Sequence, residues 1–117
     1  MLIANATDLG AFEFDLSYNP AVIQVTEVQT GDFLGSTLRT IVPLPPNIDN
    51  DAGLLVYGAF SFGDLPGAEG DGVLVAITFQ AQQVGATAVT FIILQITDSN
   101  AVVLLPQEVL DGSVTVE

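Results

Sequence analysis

The chain has 117 residues, room for one domain over residues 1–117, and half of them are hydrophobic, enough for a buried core. Arg39 is the only basic residue against 14 acidic ones, so the net charge is −13, which excludes nucleic acid and anionic membrane surfaces as partners. Cys and His are both absent, which excludes disulfides, zinc sites of the usual kind, and thiol or imidazole catalysis.

The N-terminal third of the chain predicts two strands. Residues 1–4 are apolar but lack the basic start of a signal peptide, and Asn5 and Asp8 predict a turn over residues 5–8. Apolar and polar residues alternate over residues 12–18, which indicates a strand with one buried and one exposed face. Residues rich in β-branched side chains predict the next strand over residues 22–30.

The middle of the chain combines an edge segment with a longer strand. Residues 39–44 are extended, but the prolines at 43, 45 and 46 place them at an edge or in a loop. A polar turn is expected over residues 47–53 and a strand over residues 54–62, where Gly58 indicates a bulge or a close backbone approach. The glycine-rich residues 63–72 predict a loop.

The C-terminal part contains the two longest predicted strands, residues 73–82 and 86–97, followed by short strands over residues 102–105 and 112–116. No helical periodicity is present, and no apolar run approaches the roughly 18–20 residues of a membrane span. Eight to nine short strands predict an all-β fold, a two-sheet jelly-roll β-sandwich.

The strand over residues 86–97 is unusual because both of its faces are apolar. Val89, Phe91 and Ile93 are expected on one face, and Ile92 and Leu94 on the other. Two explanations stay open: a central strand buried on both sides, or a strand whose outer face meets a partner.

Several segments in order resemble cohesin modules. Residues 8–20 give a leucine-glycine-aromatic strand that ends in Ser-Tyr-Asn-Pro, and Val22 and Ile23 supply the aliphatic pair that follows. The resemblance continues over residues 31–34, 58–63 and 72–81 and closes over residues 111–116, so it covers nearly the whole chain.

This resemblance implies a nine-stranded jelly-roll sandwich, related in fold to some carbohydrate-binding modules, and a non-catalytic role in an extracellular or cell-surface scaffold. Cohesins capture dockerins, small calcium-loaded helical domains, with one sheet face. The matching strands imply a dockerin-like partner and a set of partner-binding residues on that face: Glu13, Asp15, Ser17, Tyr57, Ser61, Phe91 and Ile93.

The chain departs from the cohesin pattern at its start. A cohesin begins with two strands before the leucine-glycine-aromatic strand, whereas only residues 1–4 precede the turn here. We therefore expect an open edge bordered by Leu2 and Ile3 on one side and Val114 and Val116 on the other. Four ways to fill it stay open: the sheet closes on itself, residues 102–105 substitute, another molecule adds a strand, or the natural protein has the strand before this sequence. The second functional hypothesis is a subunit that assembles with copies of itself by strand addition.

Other functions have weaker support in the sequence. Glu13 and Asp15 are spaced for carboxylate catalysis, but the exposed face of a strand explains them, and Ser17 and Ser61 have no His to activate them. Carbohydrate binding is a further alternative, although the only tyrosines are Tyr18 and Tyr57 and tryptophan is absent.

No cofactor is expected. Two loops offer carboxylates that are weak candidates for calcium, although Asx-turns explain the first loop without a metal. These residues are Asp49 and Asp51 in the first loop and Asp64, Glu69 and Asp71 in the second.

Overall fold

The computed structural model describes residues 1–106 and 108–117, which form ten strands and one 3-10 turn, Phe33–Gly35. The predicted all-β sandwich is confirmed. In the described part of the chain, no helix has the length and apolar character needed to cross a membrane. The strands are β1 (Leu2–Ser17), β2 (Ile23–Thr30), β3 (Thr40–Pro43), β4 (Asn47–Asp49), β5 (Leu54–Phe62), β6 (Ala68–Val73), β7 (Val75–Ala81), β8 (Gly85–Asp98), β9 (Val103–Leu104) and β10 (Gly112–Val116).

Two antiparallel sheets make up the sandwich. The larger sheet has the strand order β10-β8-β1-β5-β3, with β4 paired to β5, β6 to β1 and β9 to β8. The smaller sheet consists of β2 and β7. Strand β1 is the centre of the larger sheet, because β8 and β5 pair with its two edges along residues 11–17.

The alternation predicted for residues 12–18 sets the core. Phe12, Phe14 and Leu16 are buried, whereas Glu13 between them is exposed. The Phe14 ring lies at the centre of an aromatic group, with centroids 5.8 Å from Phe91 and 6.2 Å from Tyr57. Contacts of this kind add stabilisation to the area that the rings bury.

The smaller sheet covers only part of the inner face of the larger one. Strand β2 lies over β5, since the Thr30 hydroxyl hydrogen-bonds the Tyr57 hydroxyl and Asn50, in the turn before β5, bonds both backbone groups of Val25. Beyond β7 no described strand continues the smaller sheet towards β10. The inward apolar residues at that end are consequently only partly buried: Ile77, Phe79, Val89, Phe91, Leu94, Ile96, Val114 and Val116.

The turn predicted over residues 5–8 is wrong, because β1 runs through it. Asn5 and Asp8 adopt left-handed conformations, with φ of 56° and 53°, and the pairing with β6 shifts register beside each of them. Their side-chain chemistry explains how a strand tolerates these kinks. The Asp8 carboxylate accepts hydrogen bonds from the Gly67 N–H at 2.7 Å and the Ser99 hydroxyl at 2.8 Å.

Two further segments differ from the prediction. Residues 68–72, expected to be part of a loop, belong with Val73 to β6, which pairs with the N-terminal half of β1, including Leu2 and Ile3. Residues 47–49, expected in a turn, form β4. In both cases pairing with a long neighbouring strand overrides a local composition that favours turns.

The only basic residue lies inside the protein. The Arg39 side chain is 8% exposed and donates hydrogen bonds to the Ser61 hydroxyl at 2.9 Å and to three backbone carbonyls. Those carbonyls belong to Ser61, Gly63 and Leu65, so Arg39 fixes the turn that follows β5. The outer surface is left without any basic side chain.

Candidate partner-binding face

The side of the larger sheet that faces away from β2 and β7 is here called the outer face. Its centre consists of β8, β1, β5 and β3 side by side, so that outward residues of the four strands form rows across it. In one row Asp15 lies between Ile93 of β8 and Val56 of β5. In the next row Glu13 lies between Gln95 and Gly58.

The outer face is predominantly apolar. Phe60 is 41% exposed, Phe62 52%, Ile92 60% and Ile93 53%. Val42 and Val56 are partly exposed beside them. Large apolar side chains grouped on one solvent-facing sheet surface make this face a candidate interaction site.

A shallow depression lies on this face between β8, β1 and β5. It has a volume of about 200 Å³ and is lined on its outer side by Ala11, Glu13, Leu44, Phe60 and Gln95, among others. Gly58 of β5 is required by close strand packing, because an added Cβ would lie 2.8 Å from the Phe12 carbonyl oxygen and 3.0 Å from the Glu13 Cβ. The depression is lined by one carboxylate, that of Glu13, and otherwise mainly by apolar side chains.

Four of the seven sequence-predicted binding residues lie on the outer face. Glu13 is exposed, Asp15 and Ser17 are partly exposed, and Ile93 is more than half exposed. The Ser17 hydroxyl is 3.5 Å from the Thr90 carbonyl oxygen of β8. Their role in binding stays a prediction.

Tyr57 and Ser61 were expected on this face, and that placement is wrong. Tyr57 is 4% exposed and packs against Phe12 and Phe14, and its hydroxyl meets the Thr30 hydroxyl in the interior. Ser61 is buried, and its hydroxyl donates to the Gly10 carbonyl at 2.9 Å. Both hydroxyl groups have hydrogen-bond partners in the interior, so the side of β5 that carries these polar residues is its buried side.

Phe91 was also expected beside Ile93, and this is wrong because of a bulge in β8. Phe91 pairs with Leu16 whereas Ile93 pairs with the adjacent Asp15, so Ile92 is an additional residue on β8. A bulge of one residue changes which side chains point inward. Phe91 therefore packs edge-on against Phe14, while Ile92 and Ile93 are both exposed.

The family model for the cohesin domain matches residues 2–116, almost the whole chain. The chain belongs to the cohesin family. No curated protein matches it.

Solved cohesin structures share the fold at low sequence identity. A non-cellulosomal cohesin from the archaeon Archaeoglobus fulgidus is 22% identical, with a TM-score of 0.65 over 89% of this chain and 68% of that chain. The cohesin CaCohA2 from Clostridium acetobutylicum is 19% identical, with a TM-score of 0.69 over 99% and 80%. A type I cohesin–dockerin complex from Clostridium thermocellum contains a match that is 15% identical, with a TM-score of 0.73 over 98% and 87%.

In this cohesin the candidate calcium ligands do not come together. Among the described residues, no group of three or more acidic side chains is placed to hold a metal ion. Asp49 instead accepts hydrogen bonds from the N–H groups of Asp51 and Ala52, an Asx-turn, and Asp71 accepts one from the Asn5 N–H at 2.8 Å. Asp64 and Glu69 are exposed on the loop and strand after β5.

The exposed aromatic residues of this cohesin are phenylalanines of β5. Both tyrosines, Tyr18 and Tyr57, are buried and cannot stack on a sugar ring. Sequence reasoning missed Phe60 and Phe62 because they lie in the opposite phase to Tyr57 and Ser61, the polar residues of β5 that were expected on the outer face. The cross-strand partner supplies the missing signal: Phe60 pairs with Ala11, two residues before the exposed Glu13 on the same side of β1.

Proposed function

We propose that this cohesin is a non-catalytic binding module that captures a dockerin-like protein domain through the outer face. The proposal is supported by membership of the family and by the apolar, acidic character of the outer face. Solved structures that share the fold include cohesins in complex with dockerins, such as the type I complex from Clostridium thermocellum. The module then acts in an extracellular or cell-surface scaffold, the setting that the resemblance implies.

The observation that carries the proposal is the arrangement of Phe60, Ile93 and Asp15 on neighbouring strands. Apolar side chains at the centre exclude water, and the carboxylates of Asp15 and Glu13 attract basic groups of a partner. The net charge of −13 adds long-range attraction for a partner with exposed Lys or Arg. For such a partner, the apolar contacts strengthen binding, and the opposite charges increase the rate of association.

The direct experiment measures binding of purified calcium-loaded dockerins by biolayer interferometry, with substitutions on the outer face. Phe60→Ala should weaken binding at least tenfold, mainly through faster dissociation, since aromatic anchors dominate such interfaces. Asp15→Lys should slow association and reduce its dependence on salt.

Glu27→Lys is the matched charge control, because Glu27 is exposed on β2 of the opposite sheet. It changes the net charge by the same amount as Asp15→Lys. Equal effects of the two substitutions, or energetic hot spots on β2 and β7, would contradict the proposed face.

A non-catalytic role has its own check. The carboxylates of Glu13 and Asp15 lie on an open surface and not in an enclosed apolar pocket of the kind that prepares a general acid. We expect no hydrolysis of polysaccharides or esters. Activity that disappears in Glu13→Gln or Asp15→Asn would show that the face is catalytic.

A further inference from the structure

Strand β2 has a free edge that faces the proline-containing segment between β3 and β4. A groove of about 480 Å³ lies between them, with residues 28–30 on one side, residues 43–46 on the other, and Tyr57 between the two walls. Both walls are internal segments of the chain. Met1 lies at the other edge of the smaller sheet, where its amino group donates to the Val75 carbonyl, and β10 pairs with β8 in the larger sheet.

The phase of β2 shows which of its backbone groups face the groove. The Gly31 N–H points to the opposite side, where it donates to the Leu74 carbonyl at 2.8 Å. Because backbone groups alternate along a strand, the N–H and C=O groups of Val28 and Thr30 point into the groove. No described residue pairs with them, since the sheet neighbour of β2 is β7, at its other edge.

A side-chain amide already pairs with this edge at one point. The Val25 N–H donates to the Asn50 Oδ1 atom at 2.9 Å, and the Asn50 Nδ2 atom donates to the Val25 carbonyl at 2.9 Å. The pairing with β7 shifts register between Val25 and Glu27, so Val25 and Val28 face the same edge. Asn50 thus bonds β2 as an added strand would, and Val28 and Thr30 offer the same pairing to another amide backbone.

The opposite wall of the groove cannot supply that pairing. Pro43, Pro45 and Pro46 have no N–H, and the Leu44 N–H is used by the Gly58 carbonyl at 3.0 Å. The four wall residues are exposed and offer apolar surface instead. An occupant therefore pairs with β2 through its backbone and places an apolar side chain against the prolines.

The charges near the groove indicate which occupant it attracts. Exposed carboxylates lie next in sequence to the free part of β2 and to the turn that carries Asn50: Glu27, Asp32, Asp49 and Asp51. The only basic side chain, Arg39, is buried. A second copy would bring a further net charge of −13 and no exposed basic group, so repulsion opposes its approach. A segment with Lys or Arg beside its apolar residues is attracted instead.

We propose that the groove between β2 and residues 43–46 binds an extended segment of another protein, which adds to the free edge of β2. The segment is short, with an apolar residue against the prolines, no acidic residue, and Lys or Arg on either side. The site lies at the side of the sandwich, beside the outer face, and goes beyond the capture of a dockerin-like domain.

A synthetic peptide of about six residues tests the proposal, Lys-Val-Thr-Val-Thr-Lys with an acetylated and an amidated end. Titration into the ¹⁵N-labelled protein should shift the amide resonances of Val28, Thr30 and Leu44 and leave those of β10 unchanged. Two matched peptides serve as controls. One has Glu in place of each Lys, and the other is N-methylated at each Val and Thr, which removes its backbone donors.

Both control peptides should bind roughly tenfold more weakly, and rising salt should weaken only the Lys-flanked peptides. Val28→Pro removes one N–H from the groove and should weaken binding about fivefold, whereas Val28→Ile keeps the N–H and should not. Proline is tolerated in an edge strand where the N–H faces solvent, so Val28→Pro should fold. If it fails to fold, the N-methylated peptide still tests the backbone contacts on the unaltered protein.

Two charge substitutions separate this site from the outer face. Glu27→Lys places a positive charge beside the groove and should weaken binding of the Lys-flanked peptide about two- to fivefold, whereas Asp15→Lys should not. For a captured dockerin the order of the two effects is reversed. A failure of peptide binding and a failure of dockerin capture are therefore distinguishable.

Four results would overturn the proposal. They are no binding of the Lys-flanked peptide at millimolar concentration, equal binding of the N-methylated peptide, and shifts confined to outer-face residues such as Phe60 and Ile93. The fourth is concentration-dependent self-association in analytical ultracentrifugation with the Val28 and Thr30 resonances affected, which would make a second copy the occupant.

Discussion

The inner face of the larger sheet has a covered half and an open half, and the two differ in burial although their sequences are similarly apolar. Over β1 and β5 the smaller sheet leaves Phe14 at 1% and Leu55 at 0% exposure. Over β8 and β10 equally apolar residues such as Phe91 and Val114 remain partly exposed. The hydrophobicity of a strand therefore indicates that its side chains favour burial. Whether they are buried depends on which strands lie over them.

Matched truncations provide the strongest test of this difference. Phe14→Ala in the covered half should lower the free energy of unfolding by about 3–5 kcal/mol, because it removes a fully buried ring and leaves a cavity. Phe91→Ala in the open half should lower it by only about 1–2 kcal/mol, since that ring is only partly buried. Urea unfolding followed by circular dichroism measures both. Equal losses would show that the open half is covered in solution.

A pair of glycine substitutions should have a smaller effect. Gly58→Ala places a Cβ against the Phe12 carbonyl oxygen and Glu13, and we expect a loss of about 1–3 kcal/mol. Gly112→Ala in β10 meets no atom within 4 Å and should be neutral or stabilise by about 0.4–1 kcal/mol. Thermal melts of the two variants give the comparison, and destabilisation by Gly112→Ala would indicate that the β10 edge is packed.

The smallest effect is expected at Asp8, which ties the kink in β1 to the turns at Gly67 and Ser99. Hydrogen bonds from the Gly67 N–H and the Ser99 hydroxyl lower the pKa of the Asp8 carboxyl below its ordinary value of 3.8. A lowered pKa in the folded state means that the stabilisation is complete above the unfolded value and is lost as the pH falls through the folded value.

Asp8→Asn should therefore reduce stability near neutral pH, and its difference from the unaltered protein should shrink as the pH falls below about 3.8. Unfolding midpoints between pH 2 and 7 would measure this. Ser99→Ala removes one of the hydrogen-bond donors and should reproduce part of the change. A difference that stays constant with pH would mean that the carboxylate charge is not involved.

Sequence reasoning predicted correctly the strands in which one set of alternate residues is clearly apolar and the other set is polar. Residues 12–18 alternate without ambiguity, and β1 has the predicted faces. In β5 the phase that carries the polar Tyr57 and Ser61 is the buried one, because both find hydrogen-bond partners that lie far away in the sequence. Their inward orientation depends on Thr30 and Gly10, which no local pattern reveals.

The remaining differences come from irregular pairing. The bulge at Ile92 separates Phe91 from Ile93, and the left-handed residues Asn5 and Asp8 let β1 continue where a turn was expected. A strand period of two assumes regular pairing, so each irregularity changes the face of the residues beyond it. Glu13, Asp15, Ser17 and Ile93 accordingly lie on the outer face, whereas Tyr57, Ser61 and Phe91 lie on the inner side, and the binding role of the face stays a prediction.

The burial of Arg39 has a practical consequence for proteolysis. Trypsin cleaves after Lys and Arg, and this chain offers it one bond, between Arg39 and Thr40. The side chain is held by Ser61 and by the carbonyls of Gly63 and Leu65, and β3 begins at Thr40, so the folded protein should resist cleavage. Once β3 and the turn after β5 separate, a single cut yields residues 1–39 and 40–117. Each molecule can be cut only once, so the rate of tryptic digestion measures how often β3, the edge strand followed by prolines, separates from the rest of the sheet.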